Sequence, residues 1–126
     1  MAETIVSTVG KSKMLKARAG IQALPAIEGV AFGSGGVNSS GEIKNHASDD
    51  TALYSEVLRK KVDGHEVIYD TKIRYTCTLS ETELNDVSIS EIGLYDTDGD
   101  IVAFKSFKSK VKDSGEELIF QCDDEF

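Results

Sequence analysis

The chain has 126 residues, 40% of them hydrophobic and 29% charged, which fits one domain that buries about two-thirds of its unfolded surface without staples. It carries 14 Lys and Arg against 22 Asp and Glu, a net charge of -8, so its surface repels nucleic-acid phosphates and free DNA or RNA is excluded as a partner. No stretch approaches the ~20 apolar residues that span a bilayer, and the start, Met1 to Val6, lacks the basic and apolar regions of a signal peptide.

The charge is unevenly spread. Residues 1–20 form a basic arm with Lys11, Lys13, Lys16 and Arg18 against Glu3, while Asp113, Glu116, Glu117, Asp123, Asp124 and Glu125 crowd the other end. Such termini either pair, within a protomer or between neighbours, or stay solvated. Cys77 and Cys122 lie far apart on apolar strand patterns and read as buried free thiols.

In chain order, Lys11 to Ala19 are good helix formers between the capping residues Ser7 and Thr8 and the stop Gly20. After the single proline, Pro25, the run Ala26 to Phe32 predicts a strand. Gly33 to Asp50 is rich in turn formers and predicts a long loop, mobile until a neighbouring subunit orders it. Leu53, Tyr54, Val57 and Leu58 have helical spacing, yet Val57 to Val62 equally reads as a strand running into an Asp63-Gly64 turn.

Residues 72–79 alternate strictly, with Ile73, Tyr75, Cys77 and Leu79 on one face, as a half-buried strand requires. Val67 to Tyr69 is expected to pair with it as a hairpin. In Val87 to Tyr95 the apolar phase slips by one residue between Ile89 and Ile92, which implies a β-bulge near Ser90–Glu91. Asp98-Gly99 then turns the chain into Ile101–Phe107, apolar on both faces at first and therefore central, and Leu118, Phe120 and Cys122 alternate in a last strand. The fold class is mainly β (α+β): a single-domain antiparallel sandwich or meander with one or two short helices.

Motifs that suggest chemistry fail on their details. Phe32 stands where a nucleophile elbow needs glycine before Gly33-Ser34-Gly35, and the same run has Asn38 in place of the third dinucleotide glycine and no following Lys for a phosphate loop. Asp96-Thr97-Asp98-Gly99-Asp100 resembles a calcium loop, but its glycine is fourth rather than sixth and Phe107 occupies the closing acid's place; a hairpin turn with solvated acids is the better reading. His46, His65, Cys77 and Cys122 lack the spacing of a zinc site, and neither histidine has a nucleophile or acid in a nearby motif. No catalytic, cofactor-binding or metal-ligating residue is expected. Glu91, at the bulge, points either inward, where Arg59 is the named partner, or to solvent.

Ser90-Glu91-Ile92-Gly93-Leu94-Tyr95-Asp96-Thr97-Asp98-Gly99-Asp100-Ile101-Val102-Ala103 resembles the E-[IV]-G-L-[FY]-D-x-x-G-x-[IL]-x-A core of phage tail-collar fibre proteins. Thr8-Val9-Gly10-Lys11, Gly29 to Gly36 and Leu53 to Arg59 resemble further segments of that family in order. The resemblance implies a non-enzymatic structural part of a phage, prophage-encoded or bacteriocin-like contractile tail, joining fibre to baseplate or collar. It also implies tail, baseplate and fibre proteins as partners, a homo-oligomer with a trimer favoured, and residence in the virion tail after assembly in the host cytoplasm. With Phe126 as its last residue and no shaft or tip, the chain is not expected to recognise a receptor. Lys11, Lys13, Lys16 and Arg18 are the candidate docking residues for an acidic partner. The competing readings are a non-virion helper of fibre assembly and a small metal-binding or hydrolase module.

Overall fold

The computed structural model describes residues 4–126; Met1–Glu3, including the one acid of the basic arm, lie outside the described residues. The first strand, β1 (Ile5–Val6), leads into the helix α1 (Thr8–Arg18). Ser7 caps α1 by accepting the Gly10 N–H on its Oγ, while the same hydroxyl donates to Ile101 O at 3.0 Å. Gly20 and Ile21 close the other end by donating to Ala17 O and Lys16 O, the paired bonds of a Schellman cap. The helix begins three residues earlier than predicted, because the cap and the sheet override the modest propensity of Thr8 and Val9. A Cβ on Gly10 would stand 2.8 Å from Val102 O, so only glycine lets α1 lie this close to the sheet.

The remaining strands are β2 (Ile27–Gly33), β3 (Glu56–Lys61), β4 (Gly64–Tyr69), β5 (Lys72–Leu79), β6 (Ser88–Asp96), β7 (Ile101–Val111) and β8 (Leu118–Glu125). They make two antiparallel sheets, a five-stranded one in the order β1-β7-β6-β2-β3 and a three-stranded one in the order β4-β5-β8. The long apolar runs of β6 and β7 follow from this order, since each has a strand on both sides. The register of β6 on β7 shifts between Ile89 and Glu91, which is the bulge that the slipped apolar phase implied.

Facing side chains of the two sheets form the main core. Val30, Phe32, Ile92 and Leu94 from the first sheet meet Cys77, Leu79, Phe120 and Cys122 from the second. Phe32 and Phe120 sit edge to face with ring centroids 5.0 Å apart. Each Val, Leu, Ile or Phe side chain among them contributes about 1.5–3 kcal/mol on burial. A smaller cluster of Ala31, Leu53, Tyr95, Ile101 and Phe104 occupies the opposite side of the first sheet, under the segment that joins β2 to β3.

Two readings of the sequence resolve differently from their alternatives. Within the segment Leu53 to Val62, Glu56–Lys61 form strand β3 rather than a helix, because the β2 edge from Gly29 to Gly33 offers them a full ladder. Asp63-Gly64 is no hairpin turn: Val62 N–H donates to Glu28 O in the first sheet and Asp63 N–H to Thr76 O in the second, so the chain changes sheets there. The hairpin of β4 and β5 forms as expected. Because β8 returns to pair with β5, and β6 with β2, the fold is a sandwich and not a meander.

Candidate functional site

Glu91 is fully buried on the side of β6 that faces the segment joining β2 to β3. Its Oε2 accepts the backbone N–H groups of Gly35 at 2.9 Å and Ser55 at 2.8 Å. Its Oε1 accepts the Tyr54 N–H at 2.9 Å and lies 2.8 Å from His46 Nε2. Four partners therefore satisfy the carboxylate, as burial of such a group demands. The imidazole is in turn bridged through Nδ1 to Asp50 Oδ2 at 2.8 Å and is stacked between Tyr54 and Phe104, with centroids 4.1 and 4.3 Å away. Lys44 Nζ rests 4.1 Å over the other partner in that stack, the ring of Tyr54.

The glycine run that resembled a catalytic loop has its explanation here. A Cβ on Gly33 would stand 2.5 Å from Glu91 Oε2, and one on Gly36 would run into the carbonyl oxygen of Ser90. Gly36 N–H instead donates to Ser90 Oγ at 2.8 Å. The loop is glycine-rich so that its backbone can close over a buried acid. His46 has both nitrogens engaged and its side chain is fully buried, so it fastens the loop to β6.

A second polar cluster ties α1 to the turn between β6 and β7. Lys13 Nζ lies 2.6 Å from Asp96, 3.1 Å from Asp98 and 2.8 Å from Asp100. Partial burial works against its charge, but the carboxylates of Asp100, Asp96 and Asp98 outweigh that and raise its pKa. The three acids have oxygens within 4.8 Å of one another, a spacing suited to a cation, and the ammonium of Lys13 fills that role. Asp96 also accepts the N–H groups of Asp98 and Asp100. The expectation of simply solvated acids is corrected: Asp98 and Asp100 are exposed but paired with Lys13, and the side chain of Asp96 is only 2% exposed.

The predicted site residues fall as follows. Lys11, Lys16 and Arg18 are exposed on α1, whereas Lys13 points into the aspartates and presents little surface to a partner. Glu91 is inward, but Arg59 is not its partner. Arg59 donates to Glu56 at 2.9 Å and to Gly99 O at 2.7 Å, and lies over the ring of Tyr95. It pairs in register with Ala31, whereas Glu91 is level with Gly33; its stem runs towards Gly99, and donors from the loop already saturate Glu91. Sequence reasoning missed His46, for which the His46–Asp50 spacing and the need of Glu91 for donors were the available signals. Cys77 and Cys122 are buried free thiols, as read, and burial pushes them up to about 11 and about 12.

Fold and site together define a two-sheet antiparallel sandwich with an exposed basic helix face, in which the polar clusters fasten a loop and a helix to the first sheet. The family model for phage tail-collar fibre protein, N-terminal, matches residues 1–121, and the chain belongs to that family. No curated protein and no solved structure matches the chain. Family membership gives it a structural role in a phage tail fibre, a place in the virion tail and other tail proteins as neighbours. No helix of the described residues is long and apolar enough to cross a membrane.

Proposed function

We propose that the protein attaches a fibre to the baseplate of a phage or phage-like contractile tail through protein–protein contacts, in several copies and without chemical turnover. The observation that carries this reading is the family match over residues 1–121. The fold supports it: internal partners hold the loop and helix in place, and Lys11, Lys16 and Arg18 are exposed on α1, where they can steer an acidic neighbour. Mass spectrometry of purified, salt-washed tails, paired with tail assembly in a deletion strain, tests it. The protein is expected in washed particles, and the deletion is expected to yield tails lacking fibres. Absence from the particles together with normal, infective tails in the deletion strain overturns the reading. Absence combined with defective fibres favours a non-virion assembly helper.

A further inference from the structure

A groove of about 320 Å³ opens between α1 and the end of β8, with apolar walls that include Met14, Leu24, Pro25 and Tyr75 and with Asp124 among them. Asp124 is half-buried there, and among the described residues no hydrogen bond or salt bridge reaches its carboxylate. Burial alone pushes its pKa above the ordinary aspartate value. Among the described residues, Lys13, also in the groove wall, is committed to Asp96, Asp98 and Asp100, and Lys72 and Arg74 to Asp123. Beside the walls in sequence, Leu15 and Ile21 are 61% and 70% exposed, and Leu24 itself is 53% exposed.

A half-buried carboxylate that no donor of the described residues reaches and a set of wet apolar side chains are each unfavourable. One kind of occupant relieves both: a cation on a long aliphatic stem, with an apolar neighbour. We propose that this groove docks a segment of another tail protein, which sets an Arg or Lys side chain on Asp124 and an apolar side chain against Met14 and Leu24. The net charge of -8 favours approach of such a cationic segment. The proposal rests on the tail-attachment reading.

A photo-crosslinking amino acid placed at Leu24 in a producing strain identifies the occupant, and sequencing of the cross-linked peptide locates the contact. The expected cross-link is to a different tail protein, within about two residues of an Arg or Lys, as an extended or helical anchor requires. Asp124→Lys is expected to lower the amount of the chain in washed tails about tenfold or more, and reversal of the mapped Arg or Lys to Glu in the partner to restore it. Asp124→Asn is expected to lower incorporation as well, without lowering the thermal midpoint of the isolated protein, which separates lost docking from lost folding. Wild-type incorporation of both variants, or a cross-link to a second copy of this chain, overturns the docking site while the attachment reading stands. Absence of the unaltered chain from tails overturns both.

Discussion

At the scale of single residues, Glu91 organises the site. Both oxygens take two partners, so Glu91→Gln keeps the shape but sets an amide NH₂ against N–H groups on one side, those of Gly35 and Ser55 or that of Tyr54. Loss of acceptor capacity in a buried position predicts a destabilisation of about 2–4 kcal/mol, and Glu91→Ala, which strands His46, about 3–5 kcal/mol. Arg59→Ala is expected to cost under about 1 kcal/mol, since its ion pair is exposed. Urea denaturation of the three variants checks the order; a loss below about 1 kcal/mol for Glu91→Gln would mean that the donors around Glu91 do not hold its carboxylate. The sequence left Glu91 open between an inward and a solvent-facing turn, and its place between apolar strand positions was the signal for the inward one that the structure shows. Its partners were not legible, because three of them are backbone N–H groups that any residue supplies and the fourth, His46, lies 45 positions away along a loop without periodicity.

At the scale of elements, the strands were read best where their residues alternate. The phase slip in β6 and the strict alternation of β5 both record which face is buried, and period-2 patterns carry that information directly. Segments fastened by polar contacts carry no such pattern, and both α1 and the segment between β2 and β3 are of that kind. Lys13 anchors α1: Lys13→Ala leaves buried Asp96 without its cation and is expected to cost about 3–5 kcal/mol, against less than about 1 kcal/mol for exposed Lys16→Ala. Thermal or urea unfolding distinguishes them, and equal effects would count against the buried pair. In the long loop, Gly35, Gly36 and His46 are held to β6, whereas Asn38 to Glu42 form an exposed turn around the Asn38 side chain. Mobility predicted from sequence for all of Gly33–Asp50 is therefore expected to concentrate at 38–42. Limited proteolysis followed by mass spectrometry should find first cuts there; early cuts between 44 and 50 would mean that the His46 anchor opens readily.

For the whole molecule, the ion pairs set opposite pH limits. Hydrogen bonds from Arg74 and Lys72 depress Asp123, and Lys60 depresses Glu83. Both contribute stability that is present above the ordinary carboxylate pKa of about 4 and is lost as pH falls through their lower folded values. Asp124 acts in reverse: its folded pKa is raised, so its burial penalty is relieved by protonation and softens the acid limb. On the alkaline side Lys60, raised by its hydrogen bond to Glu83, and the thiols raised to about 11 and about 12 by burial contribute stability that is present below their unfolded pKa values and lost as pH rises through the folded ones. Urea midpoints measured from pH 3 to 11 are expected to form a plateau that falls below about pH 4 and again above about pH 9. A midpoint still rising above pH 9 would contradict the buried-thiol contribution.

Attachment makes the final demand on the whole surface. The sequence marked Lys11, Lys13, Lys16 and Arg18 as one basic face, but the fold divides them, since Lys13 serves the interior and the other three face solvent. Reversing Lys13 therefore tests folding, and a test of docking must leave it in place. Exposed charges steer encounter and fix register more than they add affinity, so Lys11→Glu, Lys16→Glu and Arg18→Glu combined are expected to leave the urea midpoint nearly unchanged. The same variant should reach salt-washed tails at about a tenth of the wild-type level or less, because three like-charge clashes at an acidic neighbour cost several kcal/mol. Quantitative mass spectrometry of particles from a strain carrying only the variant measures this directly. Normal incorporation of a folded triple variant would show that the charged face of α1 is not the docking surface and that attachment runs through another one.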